Sequence, residues 1–249
     1  MRGSCWVNAC LQAVFSIPGV RARYGANTFE PGNAIDECLC LIWNTRAAEG
    51  LGRFFEHVRT EAMPAGTNIG DAHELFLFLC DKLPFLDKLC RFEIVDVITC
   101  KACGDVQRKT DSVIEQPVTT DGSDSTLAEC MMSAVAAHEI DGWACEKCKS
   151  SDGCLKQLQY RSFPTALVVY KLAQDGGGVK YSNNIVVNGH KYGLVSVSCY
   201  NGAHWWGLGR ELGDNEPWLE FDDERVSERP LSPPISKNMR MLIYYRLEN

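Results

Sequence analysis

Three side chains that together could perform nucleophilic catalysis lie far apart in this 249-residue chain. Cys5 lies in the segment Gly-Ser-Cys-Trp-Val-Asn-Ala-Cys-Leu-Gln, His204 lies in Asn-Gly-Ala-His-Trp-Trp, and Asp222 and Asp223 lie near the C-terminal end. A cysteine nucleophile needs a base that removes its proton, and the base needs a group that orients its ring. The order thiol, imidazole, carboxylate therefore predicts a cysteine hydrolase.

The local sequence around each of the three residues is compatible with that chemistry. Apolar spacing over 8–15 predicts a helix directly after Cys5, and a helix N-terminus beside an imidazolium favours the thiolate form of a cysteine. His204 follows a predicted turn and begins an aromatic strand. Asp222 and Asp223 alternate faces on an extended chain, so we expect only one of them to point at His204. Taken singly, a packed thiol and a core histidine remain the alternative interpretations.

Two Cys-x-x-Cys pairs, Cys100 with Cys103 and Cys145 with Cys148, indicate a second kind of site. Each pair presents two thiolates on a tight turn, and two such turns brought together form the closed four-cysteine site of structural zinc. Such a site has no open coordination position, so we expect the metal to support the fold only. Cys154 could replace one ligand, although its spacing is less suitable.

Bulk properties narrow the class of protein. A net charge of −7 argues against nucleic acid as the main partner, because phosphate binding favours a basic surface. Thirteen cysteines without a secretory signal predict mostly reduced, buried thiols and a reducing compartment, the cytosol or nucleus. No segment is apolar enough for a membrane span, and we expect a monomer. The start, Met-Arg-Gly-Ser, could be an expression scar or the edge of an excised domain.

The elements predicted to position these residues form a helical front half and an antiparallel β back half, an α+β fold. Helices are predicted over 8–15, 35–45, 52–61, from Asp71 onward, and over 127–139, with Asp71 as an N-cap and Glu74 at the capping-box position. Strands are predicted over 92–99, 157–160, 166–172, 185–187, 192–199, 205–210 and 241–246, and turns or loops over 175–178 and 213–217.

Taken together, these segments resemble the ubiquitin-specific protease family of papain-like deubiquitinases. Residues 3–12 resemble the cysteine box and residues 70–75 the Gln-Asp box. Residues 98–104 and 143–148 resemble the zinc fingers, and residues 158–172 resemble the strand pair between fingers and palm. Residues 192–209 and 218–226 resemble the histidine box. The resemblance covers nearly the whole chain in the family's order. It implies a single catalytic domain shaped like a right hand, with a helical thumb (1–90), zinc-tipped β fingers (91–170) and a β palm (171–249).

The resemblance also implies roles for individual residues. Cys5 is the expected nucleophile, His204 the general base and acid, and Asp222 the residue that orients it. Asp71 is expected to hold the C-terminal tail of the substrate, in a cleft where Trp205 and Gly202 leave room only for glycines. The expected substrate is ubiquitin or a ubiquitin-like modifier on a modified protein, cleaved after its C-terminal glycine.

Some residues depart from the family pattern. The usual Gly-Asn-Thr-Cys is here Gly-Ser-Cys, and the usual Gly-His-Tyr is Ala-His-Trp. The Cys5 backbone N–H is one expected oxyanion donor, whereas Asn8 is either a second donor or a structural hydrogen-bonding group. The small size also resembles the papain-like proteases of nidoviruses, which cleave their own polyprotein and remove ubiquitin or related modifiers. A ubiquitin-binding module without activity is the third alternative.

Overall fold

The computed structural model describes residues 4–46, 48–61, 70–151, 153–172, 176–213, 216–230 and 236–247. The helices in these ranges are α1 (Cys5–Phe15), α2 (Pro18–Gly25), α3 (Ala34–Thr45), α4 (Ala48–Glu61), α5 (Ala72–Lys82), α6 (Pro84–Cys90) and α7 (Leu127–Val135). The strands are β1 (Phe92–Cys100), β2 (Val106–Val113), β3 (Gln116–Val118), β4 (Ser125–Thr126), β5 (His138–Ile140), β6 (Cys154–Tyr160), β7 (Ala166–Lys171), β8 (Val179–Lys180), β9 (Asn184–Val187), β10 (His190–Tyr200), β11 (Trp205–Gly209), β12 (Trp218–Asp222), β13 (Arg225–Arg229) and β14 (Met239–Arg246).

Helix α1 is the central element of the helical part. Eight of its eleven residues are buried, so it is apolar on nearly all sides, as expected of a helix surrounded by protein. It packs against α2 and α5 on the helical side and against β10, β11 and β12 on the other. Cys5, the first residue of α1, therefore lies at the boundary between the helices and the larger sheet.

The larger sheet has eight strands in the order β13-β12-β11-β10-β14-β7-β3, with β9 paired to β10. Its pairs are antiparallel except β3 with β7. Because successive side chains on a strand point to opposite faces, Ala166 and Val168 join the core shared with the helices, whereas Leu167 and Val169 join a second core beside α7. Burial on both faces explains why β7 is almost continuously apolar.

A smaller antiparallel sheet, in the order β2-β1-β6-β5, extends from residue 92. In its register Cys100 lies opposite Cys154, and the buried cluster at this end consists of Cys100, Cys145 and Cys154 with partly buried Ile98, Ile140 and Trp143. Among the described residues, this end of the sheet thus has few buried apolar side chains besides its cysteines.

Two glycines on β11 allow the close approach of α1 to the larger sheet. A Cβ added at Gly209 would lie 2.3 Å from Ser16 Oγ, whereas one added at Gly207 would lie 3.7 Å from the nearest atoms, which include the Ala9 carbonyl oxygen. A side chain at Gly209 would displace Ser16 Oγ, which donates to the Gln12 carbonyl at 2.7 Å, so glycine here allows the end of α1 to pack closely on the strand that begins next to His204.

The α+β class and the division into helical and β halves are confirmed, with local differences. The helix predicted over 127–139 ends at Val135, and β5 follows it. Helices α2 and α6 were not predicted as separate helices, and the strands that were not predicted are β2, β3, β4, β5, β8, β12 and β13. The loops predicted over 175–178 and 213–217 fall partly outside the described residues. Among the described residues, no helix is both long and apolar enough to cross a membrane.

Candidate active site

The candidate nucleophile, Cys5, is the first residue of α1. Ser4 is its N-cap residue, and the Asn8 backbone N–H donates to the Ser4 carbonyl at 3.0 Å, which closes the first turn. The first N–H groups of a helix lack intrahelical acceptors and carry the positive end of its dipole. Cys5 is half-buried, so its side chain lies at the positive end of the helix dipole and stays partly accessible.

Other thiols in the same region are packed, as predicted. Burial raises the pKa of the Cys10 thiol well above its usual range, with a smaller contribution from the Asp71 carboxylate. Burial also raises the pKa of Cys199 to about 12. All thirteen cysteines lie among the described residues and carry free thiols, which agrees with the predicted reduced state.

A hydrogen-bonded turn places His204 at the start of β11. Asn201 Oδ1 accepts from the backbone N–H groups of Ala203 at 3.0 Å and of His204 at 2.9 Å. Gly202 has a φ of +97°, and its carbonyl accepts from the Tyr200 hydroxyl at 2.7 Å. The sequence analysis did not assign Asn201 this role, although an asparagine whose side chain accepts from the backbone N–H two residues later is a recognisable turn signal.

The imidazole of His204 is oriented by a carboxylate. Its Nε2 lies 2.6 Å from Asp222 Oδ1. His204 directly precedes β11, and Asp222 is the last residue of β12, the strand paired with β11. The two side chains are 34% and 46% exposed, so the pair is open to substrate and water. With Nε2 facing the carboxylate, Nδ1 is the ring nitrogen left for proton exchange with a nucleophile.

The second carboxylate also lies on the histidine side, so the expectation that Asp222 and Asp223 face opposite ways is wrong. Asp223 has a left-handed φ of +52°, which interrupts the alternation of an extended chain. Ligand atoms of His204, Asp222 and Asp223 all lie within 4.8 Å of one another. Asp223 Oδ1 accepts from Asn8 Nδ2 at 3.4 Å, so Asn8 makes the structural hydrogen bond that was one of its two predicted roles.

A polar cavity of about 770 Å³ joins the start of α1 to the histidine. Ser4 and Asn8 line it on the helix side, and His204, Asp222 and Asp223 line it on the sheet side. The structure therefore brings the start of the Cys5 helix and the segments of His204 and Asp222 to one opening, with Ser4, Asn8 and Gln12 as its wall on the helix side.

Asp71, one of the residues predicted to hold a substrate tail, lies on the other side of α1. Asp71 caps α5, where its Oδ1 accepts from the backbone N–H of His73 at 2.6 Å and of Glu74 at 3.4 Å. Its neighbour Gly70 lies against the ring of Trp6, 2.8 Å from the position of an added Cβ. The N-cap function of Asp71 is thus present, and its carboxylate stays close to the Cys5 helix.

Trp205 and Gly202, the other predicted tail contacts, have different surroundings. Trp205 is only 3% exposed and stacks on Tyr200, with ring centroids 4.7 Å apart. Its indole presents little surface to a substrate, so its packing supports the turn before His204. Gly202 is exposed, and no atom lies within 4 Å of an added Cβ, so space alone would permit a side chain there. Its positive φ is the reason that the position favours glycine.

One histidine outside the candidate site, at the start of α5, is buried. His73 is only 7% exposed; its ring stacks on Tyr170, with centroids 3.5 Å apart and planes at 5°, and its Nε2 pairs with Glu115. These contacts join the start of α5 to β7. Helical position alone could not reveal them, because both partners are distant in sequence.

The four predicted zinc ligands form one cluster. Their sulfur atoms all lie within 4.8 Å of one another, with 3.7 Å between Cys100 and Cys148 and 3.7 Å between Cys103 and Cys145. Zn–S bonds of about 2.3 Å in a tetrahedron place sulfurs about 3.8 Å apart. Backbone N–H groups of Cys103 and then Ala102 lower the pKa of Cys100 to about 6, which favours the thiolate. The donor set and its spacing therefore fit Zn²⁺.

Cys154, the alternative ligand, lies beside this cluster but not in it. It is buried and opposite Cys100 in the strand register. Burial, and then the charge of Cys100, raise the pKa of the Cys154 thiol. We therefore assign it to the packing beneath the four-cysteine site.

Neither a protein-family model nor a curated protein matches the sequence. Solved structures do match, and they share the mixed fold of this chain, with a helical part, a smaller sheet and a larger sheet. This confirms the expected architecture.

The matched structures include Ubp8 in the SAGA DUB module. In the module with Sgf11, Sus1 and Sgf73 bound to monoubiquitin, the TM-score is 0.83 at 15% identity, covering 99% of this chain and 68% of that chain. The module bound to ubiquitin aldehyde gives 0.82 at 15% identity, with the same coverage. A yeast SAGA DUB module with an Sgf73 variant gives 0.82 at 14% identity, covering 98% and 67%. At such identities the likeness shows the shared fold.

Proposed function

We propose that this chain is a cysteine protease that hydrolyses the isopeptide or peptide bond after the C-terminal glycine of ubiquitin or a ubiquitin-like modifier. The observation that carries the proposal is the His204–Asp222 pair, which opens into the same cavity as the N-terminus of the Cys5 helix. The fold supports the substrate class, because the similar Ubp8 modules were solved with ubiquitin bound.

The proposed reaction uses the residues as follows. His204 takes the proton of Cys5, and Sγ attacks the carbonyl carbon of the terminal glycine. Backbone N–H groups at the start of α1 stabilise the oxyanion. The C–N bond breaks as His204 protonates the departing lysine amine. Water, deprotonated by His204, then hydrolyses the thioester and releases the carboxylate and the thiol.

Asp222 keeps the imidazole in one orientation and stabilises its cationic form. This role needs a short contact that persists through both proton transfers, and the 2.6 Å distance to Nε2 is of that kind. Asp71 is proposed to bind the extended tail of the modifier, where its carboxylate can accept backbone amides or pair with an arginine. The proximity of Asp71 to α1 supports this placement.

Zn²⁺ is proposed as a structural ion held by Cys100, Cys103, Cys145 and Cys148. When bound, it ties the turn after β1 to the turn before β6 and stabilises the tip of the smaller sheet. All 249 residues are proposed to form one catalytic domain, divided into thumb, fingers and palm near residues 90 and 170. The free thiols support a reducing compartment, the cytosol or nucleus.

The direct test is hydrolysis of ubiquitin that carries a fluorogenic leaving group at its C-terminus. The wild-type chain is expected to release the dye, and Cys5→Ala is expected to reduce the rate to background while ubiquitin binding persists. Binding without hydrolysis by the wild-type chain would instead favour a ubiquitin-binding module. Cleavage of short peptides ending in two small residues, with no modifier attached, would favour a polyprotein-processing protease.

A further inference from the structure

The two sides of α1 that flank Cys5 have different surroundings. With 100° per residue, Trp6 and Cys10 lie on one side of Cys5, toward Gly70 and Asp71. Asn8 and Gln12 lie on the other side. A substrate that crosses the helix at Cys5 therefore has one part on each side.

The Asn8 side of α1 is open. Here the cavity of about 770 Å³ is lined by Asn8, Gln12 and His204, among others. A second cavity of about 540 Å³, with Phe15 and Trp43 in its wall, continues along the same helix. The two cavities share Gln12, Leu51 and Phe221 in their walls, so together they form one groove between the helices and the larger sheet, which we call the acceptor groove.

The proposed reaction decides which part of the substrate enters this groove. His204 gives a proton to the departing amine, so the amine and the chain that carries it must lie next to the imidazole. The modifier's tail then lies on the other side, near Asp71. This assignment rests on the proposed function, since it uses the acid role of His204.

The chemistry of the groove changes along its length. Near His204 the wall carries three carboxylates, those of Asp222, Asp223 and Glu224, and one guanidinium, that of Arg225. Farther along, the wall is mostly apolar, with Phe15, Ile42, Trp43, Leu51, Leu219 and Phe221. Arg21 and Arg46 also line that wall. Arg21 pairs with Glu211 at 2.5 Å, so one of these two positive charges is balanced within the wall.

We propose that the acceptor groove selects the protein to which the modifier is attached. It binds the segment around the modified lysine, with a basic residue against Glu224 and Asp223 and a large apolar residue against Trp43 and Leu51. The chain is then a protease with a sequence preference on the acceptor side of the scissile bond, in addition to its recognition of the modifier.

The test compares two isopeptide conjugates of ubiquitin with ubiquitin that carries only a dye. One conjugate has arginine and leucine residues around the modified lysine of a short peptide; the other has glutamate and serine at the same positions. For the wild-type chain, kcat/KM is expected to be about tenfold higher for the basic, apolar conjugate, the effect of one buried apolar side chain and one ion pair.

Glu224→Lys reverses one charge in the groove, and Glu228→Lys makes the same change at an exposed residue of β13 outside it. Glu224→Lys is expected to reduce the preference between the conjugates to about twofold, and Glu228→Lys to retain it. Equal cleavage of both conjugates by the wild-type chain, or an equal effect of the two variants, overturns the acceptor groove while dye release still supports the protease. Absence of dye release overturns the proposed function and the groove with it.

Discussion

At the scale of single residues, two adjacent carboxylates lie near one imidazole, and geometry distinguishes them. Asp222 contacts His204 Nε2 directly at 2.6 Å, whereas Asp223 bonds to Asn8 on α1. Only a carboxylate in direct contact can hold the ring in one orientation and stabilise its charge.

Asp222→Ala is therefore expected to lower kcat for ubiquitin–dye hydrolysis by about 100-fold, within the range of a general acid–base contribution. Asp223→Ala removes an exposed hydrogen bond and is expected to change kcat by less than about threefold. Steady-state kinetics of the two variants beside wild type decides between them. A larger loss in Asp223→Ala would transfer the orienting role to that residue.

The turn before His204 gives a second prediction. Asn201→Ala removes the acceptor of two backbone N–H groups, and is expected to lower kcat by about fivefold, the equivalent of one net hydrogen bond. Asn201→Asp keeps an oxygen at the same position and is expected to restore most of the activity. If both variants behave like wild type in kinetic assays, the turn does not position the histidine.

Sequence alone indicated the candidate residues but not all of their contacts. The types and order of Cys5, His204 and the two adjacent aspartates made them candidates, because their chemistry depends on residue type, and only the family resemblance selected Asp222. The Asn8–Asp223 hydrogen bond spans 215 positions and depends on a left-handed residue that is not glycine. Likewise, the pairing of His73 with Glu115 follows only from packing between elements.

At the scale of elements, the contact between α1 and β11 governs the geometry of the site. Gly209→Ala places a methyl group against Ser16 Oγ, only 2.3 Å away, whereas Gly207→Ala makes ordinary contacts at 3.7 Å. We expect Gly209→Ala to lower the free energy of unfolding by about 1–3 kcal/mol, typical of overpacking, and to reduce kcat.

Gly207→Ala, on the same strand, is the matched control and is expected to be less destabilising. Thermal denaturation and dye hydrolysis measured on both variants test the assignment. Equal stability of the two proteins would show that α1 does not depend on glycine at Gly209.

The four-cysteine cluster provides a prediction that is independent of catalysis. Purified protein is expected to contain about one zinc per chain, the stoichiometry of a single four-cysteine site. Cys148→Ser is expected to lose most of it, because one of four ligands is removed. Cys154→Ala, which changes a buried cysteine outside the cluster, is expected to retain it. The zinc content of both variants is measured by mass spectrometry. Loss of zinc in Cys154→Ala, with zinc retained in Cys148→Ser, would make Cys154 a ligand.

Elements with strong local patterns were predictable from the sequence, and elements formed by pairing were not. The apolar spacing after Asp71 predicted α5, and the N-cap is present. Strand β2 has mostly polar residues and an exposed pattern, because its partner β1 provides the hydrogen bonds. Helix α2 contains two glycines and few apolar residues, and depends on Pro18 at its start and on burial of Val20 and Tyr24.

At the scale of the whole molecule, the fold is shared with Ubp8 at 15% identity. In this chain the fold places a helix start, a strand start and a four-cysteine cluster around two cores, an arrangement that many sequences can satisfy. The family order of motifs was visible in the sequence, whereas the acceptor groove was not, because its wall combines residues from opposite ends of the chain.

The central claim is that the Cys5 sulfur, activated by His204, attacks the C-terminal carbonyl of a ubiquitin-type modifier. The most direct measurement is covalent labelling by ubiquitin with an electrophilic C-terminus, followed by peptide mapping of the adduct. The account predicts one adduct per chain on Cys5, no adduct in Cys5→Ala and slow labelling in His204→Ala. Labelling of a different cysteine, or no labelling of a folded wild-type chain that binds ubiquitin, would contradict it.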